Sequence, residues 1–507
     1  MKPVLFVIID ALAAEVVLPA MRQGRLPFFS ALAEAGHLRP QCTSIFPSIT
    51  PAATAALCTG HYPNRSGIPG AFWFDRKADL VAYYGDDWSA IRNDGIDAYL
   101  RGFLTGLNYD RLSCPTVFSQ LMRASRTAAN LNLMWFRGPT SHVLTIPKVF
   151  QWATSGELPK TLDGPDLLVI GDFVAHDGRT DTDITLVPAG YGRRYGFSDE
   201  TTAEAMLIVL APDATPPDLT IAYFPDNDFT SHDVGPENAL PCVEEIDTQL
   251  SRLADRYGGV EAFLDRFAIL ITGDHSQTRN RPIGEAAVDL NELTPGFNVV
   301  AGGSTFGSAS DVLVGTNMRA ANAYFQRPED DRDLFIRHVL KDERIDQAMW
   351  RDEVTGRLHV RTADRGELTF WTDPQGAADD FGGRWTHEGD LATVDGRLED
   401  DGSRITFGEY PNAFERLDTG CFPLAGDLWV TARPGFEFVI PETTTHDGAA
   451  HGSLHRLDST APLLVGGLDG EVPQTPRIVD MVPMILRHFG LDHEFAVSQS
   501  RQTAERS

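Results

Sequence analysis

A chain of 507 residues, 42% hydrophobic and 22% charged, can bury a large core, and this composition excludes a fibrous, low-complexity or disordered protein. Its net charge of −28 excludes general electrostatic binding of nucleic acid, so a phosphate substrate would have to be drawn in locally, for instance by bound divalent cations. Five scattered cysteines (Cys42, Cys58, Cys114, Cys242, Cys421) without paired spacing exclude a disulfide framework and a cysteine-based zinc site.

The first element is Val4–Asp10 (VLFVIID), an apolar, β-branched run closed by an acidic residue, as in a buried parallel strand with a site at its carboxyl edge. Because the run starts at Val4, there is no space for a basic region, apolar stretch and cleavage site. No run of about 18 apolar residues marks a membrane span. The expectation is a soluble, cytoplasmic protein that binds neither membrane nor nucleic acid stably. Ala11–Gly36 then shows helical periodicity broken at Pro27. In Cys42–Gly60, Thr50-Pro51 precedes a small-residue helix and places Thr50 at its N-cap. Thr50 is then either a plain cap or a nucleophile sitting where helix N–H groups favour developing negative charge.

Patterns around Cys114–Met122 and Leu131–Trp135 read as further α/β units, with Phe118, Met122 and Trp135 in the core. Two later stretches repeat the opening pattern. Leu219–Phe224 is an apolar strand ended by Pro225, with Asp228 and His232 four apart in the loop that follows; Phe267–His275 (FAILITGDH) is the other. Asp10, Asp228, His232, Asp274 and His275 could converge at one sheet edge, and Asp with His but no Cys suits zinc or another borderline-to-hard divalent ion. Asp226 and Asp233 compete with Asp228, and His446 and His455 compete with His451.

Asp10 after the first strand, FPSIT-P, YPNRSGI, PDND-FTSH-DVGP, TGDH and the late HGSLH together resemble the alkaline phosphatase superfamily, nearest its nucleotide pyrophosphatase/phosphodiesterase branch. The resemblance implies an α/β fold with a central mostly parallel sheet flanked by helices and an inserted α+β cap subdomain. It implies two divalent metal ions, zinc first and manganese as the alternative: one held by Asp228, His232 and His451, the other by Asp10, Asp274 and His275 with the Thr50 oxygen. Thr50 would be the nucleophile of a phosphodiester or nucleotide pyrophosphate hydrolase acting on a small-molecule phosphate ester. Trp73, Phe74 and Asp75 lie where this family shapes its pocket, and the Asn that diesterases often carry near Ala71 is absent. Phosphomonoesterase and phosphonate hydrolase are the alternatives within the superfamily. A sulfatase would need Cys or Ser where this chain has Thr50-Pro51-Ala52. A catalytically silent metal-binding protein is the alternative of another class.

Glu237–Gly258 reads as a helix. The span from His275 to His451 is too long for a loop, so it must hold elements of its own. Asp311–Phe325 and Arg357–Trp371 read as strands, Asp331–Met349 as a helix, and Pro374–Gly383 and Glu388–Gly402 as connections. Residues 1–276 would form the first part of the core, 277–424 an inserted cap, and 425–507 the return segment. In that last part Gly426–Phe438 and Ala461–Gly467 would rejoin the main sheet, Arg477–Phe489 would form the closing helix, and the tail from Ser498 would fray. The oligomeric state is not legible.

Overall fold

The computed structural model describes residues 1–77, 79–84, 100–148, 158–300, 311–440 and 444–492; the tail from Ser498 lies outside them. Helices flank a nine-stranded central sheet ordered Thr182–Asp183, Val174–Asp177, Leu167–Ile170, Ala128–Leu131, Leu219–Phe224, Val4–Ile9, Ala268–Thr272, Thr460–Gly466, His37–Thr43. The five strands from Leu167 to Ala268 in this order run parallel, and the flanking pairs are antiparallel. This is the mostly parallel α/β architecture expected.

The opening run is apolar throughout because both of its faces are covered. Val4, Phe6 and Ile8 join one buried cluster, while Leu5, Val7 and Ile9 join the other. Helices Ala14–Arg22, Pro27–Ala35 and Pro236–Asp255 close the second face. Asp247 fastens two of them by accepting from the backbone N–H groups of Phe28 and Phe29 at 3.0 and 2.9 Å, donors left free at a helix start. Phe118 and Trp135 are core residues as read, whereas Met122 is only partly buried.

A second sheet of ten strands is built from residues 298–432. It corrects three readings. The helix expected over Asp331–Met349 is Pro328–Val339, and Ile345–Arg351 is a strand, because Asp342 and Arg344 pair across a tight turn at 2.7 Å and Ile345 to Trp350 are buried on both faces. Pro374–Gly383 is largely strand, as part of Glu367–Asp379. Leu428–Ala432 pairs with Ala320–Phe325 and Ile345–Arg351 in this second sheet, and Glu437–Val439 pairs with Ala287–Asp289. Of the two returning stretches only Thr460–Gly466 enters the central sheet. An apolar run identifies a buried strand without saying which sheet buries it. Among the described residues no helix is long and apolar enough to cross a membrane.

Candidate metal centre

Strands Leu219–Phe224, Val4–Ile9 and Ala268–Thr272 are parallel neighbours, so the residues following each emerge at one edge. Asp10 leaves the middle strand there, and Asp274 and His275 leave the third. Asp228 and His232 are not in a loop. They lie one turn apart on helix Asp226–Val234, whose polar sequence has no apolar stripe to betray it. Thr460–Gly466 runs antiparallel to Ala268–Thr272 and so begins at the same edge, where His451 precedes it. His37–Thr43 is reversed again and ends there, delivering the Phe46–Thr50 segment. All seven residues singled out from the sequence are brought together.

They form two adjoining groups. His275 Nε2 lies 3.5 Å from Asp10 Oδ1, 3.4 Å from Asp274 Oδ2 and 3.0 Å from Thr50 Oγ1. Asp228 faces His232 Nε2 at 3.3 Å and His451 Nε2 at 3.7 Å. The stacked rings of His275 and His451, with centroids 3.8 Å apart, join the groups. Ligand atoms of Asp10, Asp274 and His275 lie within 4.8 Å of one another, and so do those of Asp228, His275 and His451.

The imidazoles share one orientation. Nδ1 of His232, His275 and His451 lies against the carbonyls of Ala449, Ser276 and Ser48 at 2.8, 3.1 and 2.7 Å. A carbonyl only accepts, so each Nδ1 carries the proton and each Nε2 presents a bare lone pair to the carboxylates. Glycine makes one of these contacts possible: a Cβ on Gly448 would stand 2.3 Å from the Gly235 nitrogen, so only glycine lets this segment lie against the end of helix Asp226–Val234.

The electrostatics are those of anions short of a counter-charge. Burial, then the carboxylates of Asp274 and Asp228, pushes Asp10 well above the usual carboxylate range. Burial also raises Asp274 against the pull of His275. Burial would raise Asp228 too, but its contact with His232, the nearest of the imidazoles facing it, outweighs burial and holds that carboxyl low. Burial, with His275 next, keeps His451 well below the ordinary imidazole value and therefore neutral. Asp10 Oδ1, Asp274 Oδ2 and His451 Nε2 are buried without a hydrogen-bond partner. Unpaired buried oxygen and imidazole donors of this kind fit divalent cations.

Thr50 is the first residue of helix Thr50–Thr59, with Ile49 rather than Thr50 at the cap; with Pro51 in the first turn, the threonine hydroxyl is spent on His275 instead of on capping. Asp226 accepts from Arg194 and from the Asp199 N–H, and Asp233 is exposed, which leaves Asp228 as the helix carboxylate of the cluster. His455 caps helix Arg456–Ser459 and faces Glu409 at 3.2 Å. Trp73 is fully buried, and the Ala71 and Phe72 N–H groups donate to Asn317 Oδ1.

Three neighbours escaped the sequence reading, and a fourth, His446, was read only as a rival of His451. Tyr223 donates its hydroxyl to Asp10 Oδ2, and Asn227 donates to the carbonyls of Asp10 and Ala11 at 2.8 and 3.0 Å. The His446 ring lies against His232 at a tilt of 32° with centroids 4.0 Å apart, its Nδ1 on Glu437 at 2.7 Å. Gln277 donates to Asp228. Only Tyr223 had a usable signal, as the polar-tipped residue of a strand beside that of Asp10.

The family model for type I phosphodiesterase/nucleotide pyrophosphatase matches residues 4–454. No curated protein matches the sequence. Among solved structures, murine ectonucleotide pyrophosphatase/phosphodiesterase 5, as an inactive variant in complex with AMP, is similar at TM-score 0.57 and 11% identity, covering 100% of this chain and 99% of that one. The human protein of the same name aligns at 0.56 and 13%, with 99% of each chain covered. Phosphonoacetate hydrolase from Sinorhizobium meliloti 1021, in complex with phosphonoformate, aligns at 0.55 and 15%, with 96% of each covered.

Proposed function

The chain belongs to the type I phosphodiesterase/nucleotide pyrophosphatase family, within the alkaline phosphatase superfamily, and from that premise we propose that it is a two-metal hydrolase of small-molecule phosphoric esters, cutting phosphodiester or nucleotide pyrophosphate bonds through a covalent phosphothreonine. The observation that carries the reading is Thr50: its hydroxyl stands 3.0 Å from His275 Nε2, at a helix start, within a buried set of carboxylates and bare imidazole nitrogens.

Asp10, Asp274 and His275 would hold one divalent cation beside Thr50, and Asp228, His232 and His451 the other; zinc is the first choice and manganese the alternative. When bound, such ions supply Lewis acidity toward phosphoryl oxygens and lower the pKa of a neighbouring hydroxyl. Thr50 Oγ1 gives its proton to solvent and attacks phosphorus in line, the bond to the leaving oxygen breaks and that group departs as the alcohol or phosphate after taking a proton from solvent, and water then cleaves the threonine–phosphorus ester, one of its protons restoring the Thr50 hydroxyl. The start of helix Thr50–Thr59, with the N–H groups of Thr50 and Ala52, would favour negative charge developing on the phosphoryl group. Tyr223 and Asn227 hold Asp10 in place, and the carbonyls behind the three histidines keep their Nε2 atoms turned inward.

The mouse relative is described as inactive when a threonine is replaced by alanine, in complex with AMP, which agrees with a nucleotide-sized ester and a threonine nucleophile. Phosphonate hydrolysis is the second reading: the GIPGAFWF stretch lacks the asparagine that diesterases often carry, and Asn317, which lies beside Ala71 in the fold, is engaged with backbone N–H groups there. Five free thiols, four of them buried, agree with a cytoplasmic setting. The test is turnover of bis-p-nitrophenyl phosphate, a nucleotide p-nitrophenyl ester, p-nitrophenyl phosphate and phosphonoacetate with zinc and with manganese, for the natural chain and for Thr50→Ala. Diester cleavage that vanishes in a folded Thr50→Ala protein is the expected result; equal turnover by that variant sinks the phosphothreonine.

A further inference from the structure

Gln277 lies two residues beyond His275, between strand Ala268–Thr272 and the short strand Thr278–Arg279, which pairs with Ala449–Ala450. Its backbone is therefore pinned on both sides, to the central sheet and to the segment that delivers His451. Ser276 N–H donates to the Asp458 carbonyl at 3.0 Å, and Thr278 Oγ1 to Asp458 Oδ1 at 2.9 Å. The side chain is 3% exposed and points into the second ligand group. Its Nε2 donates to Asp228 Oδ1 at 2.5 Å and to His232 Nε2 at 3.0 Å. Its Oε1 is buried with no hydrogen-bond partner.

The amide N–H₂ thus addresses the same two atoms that the proposed reading assigns to a cation. A donor dipole there satisfies Asp228 and His232 when no cation does, but would point its positive end at any ion those atoms held. A half-turn about the last side-chain bond exchanges the amide's two ends without moving the backbone. It puts Oε1, now an idle buried acceptor, where the nitrogen stood. Amide oxygens are ordinary ligands of hard and borderline cations.

We propose that Gln277 is a further ligand of the Asp228–His232–His451 centre, donating through nitrogen in the metal-free chain and turning its oxygen inward when the ion enters. The inference rests on the two-cation reading. A neutral oxygen added to one carboxylate and two imidazoles raises the number of protein donors without adding charge, and it distinguishes this centre from the Asp10–Asp274–His275 group, whose ligands are all named already.

The experiment is titration of the metal-stripped full chain with cobalt(II), followed by calorimetry and by its visible absorption, for the natural protein, Gln277→Met and Gln277→Glu, with melting in EDTA to confirm that each is folded. The natural chain should take up two ions. Gln277→Met, of similar volume but without the amide, should bind one of the two at least about tenfold more weakly, with altered absorption from that ion alone. Gln277→Glu should recover or exceed natural affinity at that site. Two ions bound by folded Gln277→Met with natural or higher affinity and an unchanged spectrum would overturn the proposal, leaving the amide a mere stand-in. A natural chain that takes up fewer than two ions would overturn the two-cation reading and this inference with it.

Discussion

Two buried charge clusters in this molecule are built on opposite terms. Around Arg477, the guanidinium meets Glu415 at 2.7 Å and Asp480 at 2.6 Å, with side chains almost wholly buried, so two carboxylates share a cation the chain itself supplies. At the carboxyl edge of the central sheet, Asp10, Asp274 and Asp228 are equally buried, and the nearest basic groups among the described residues are histidines whose Nδ1 is already committed to a carbonyl. The first cluster is complete and structural. The second is left in deficit of positive charge, which a fold tolerates where something from outside is to be bound.

The largest effect that would break this contrast is on turnover. Asp10→Asn should lower kcat/KM at least about a thousandfold, a loss of about 4 kcal/mol of transition-state stabilisation. The same change should stabilise the metal-free protein slightly, by about 1 kcal/mol, because it removes a like charge from a buried set. Activity assays beside melting in EDTA read both; a destabilised metal-free variant would mean that Asp10 is already compensated. Conversely, Arg477→Met should cost about 3–5 kcal/mol in urea unfolding by stranding Glu415 and Asp480, while the protein that remains folded keeps its kcat.

A third measurement follows from Asp10 and Asp274 being raised by burial and neighbouring carboxylates. A raised folded pKa stabilises the fold below the ordinary carboxylate range and ceases to do so as the pH climbs through the raised value; a cation restores what is lost. Zinc uptake should therefore release protons and tighten with rising pH, as calorimetry in buffers of different ionisation heat will read. The depressed pKa of His451 adds a change of its own only on the acid side of the imidazole range, so proton release above that range is owed to the carboxyls. Uptake without proton release would contradict the electrostatic description. The smallest effect belongs to a surface pair: Arg25→Ala breaks the 2.6 Å contact with half-exposed Glu244 and should cost under about 1 kcal/mol, within the usual range for solvated pairs.

The centre was legible to the extent that it is written in runs. Buried parallel strands are continuously apolar, so an acidic residue closing such a run, as Asp10 and Asp274 do, stands out. Asp228 and His232 stood out through their spacing, although their helix did not, because DNDFTSHDV has nothing apolar to repeat. Gln277 and Asn227 were illegible and His446 was visible only as a rival of His451: a neutral amide or a loop histidine acquires its role only when distant segments meet. The second sheet was harder still. Trp429 and Val430 form as apolar a strand as any in the centre, and only pairing with Asn322, Ala321 and Ala348 reveals which sheet owns it.

The order in which the chain supplies the centre sets when it can work. Asp10 precedes the second sheet in the chain, and His451 follows it, after its last strand in the sequence ends at Ala432. A nascent or truncated product ending before that residue holds a cluster open on one side. On the two-cation reading, the Asp228–His232–His451 group closes only on a chain that reaches His451, so a product cut short before it should take up one ion fewer.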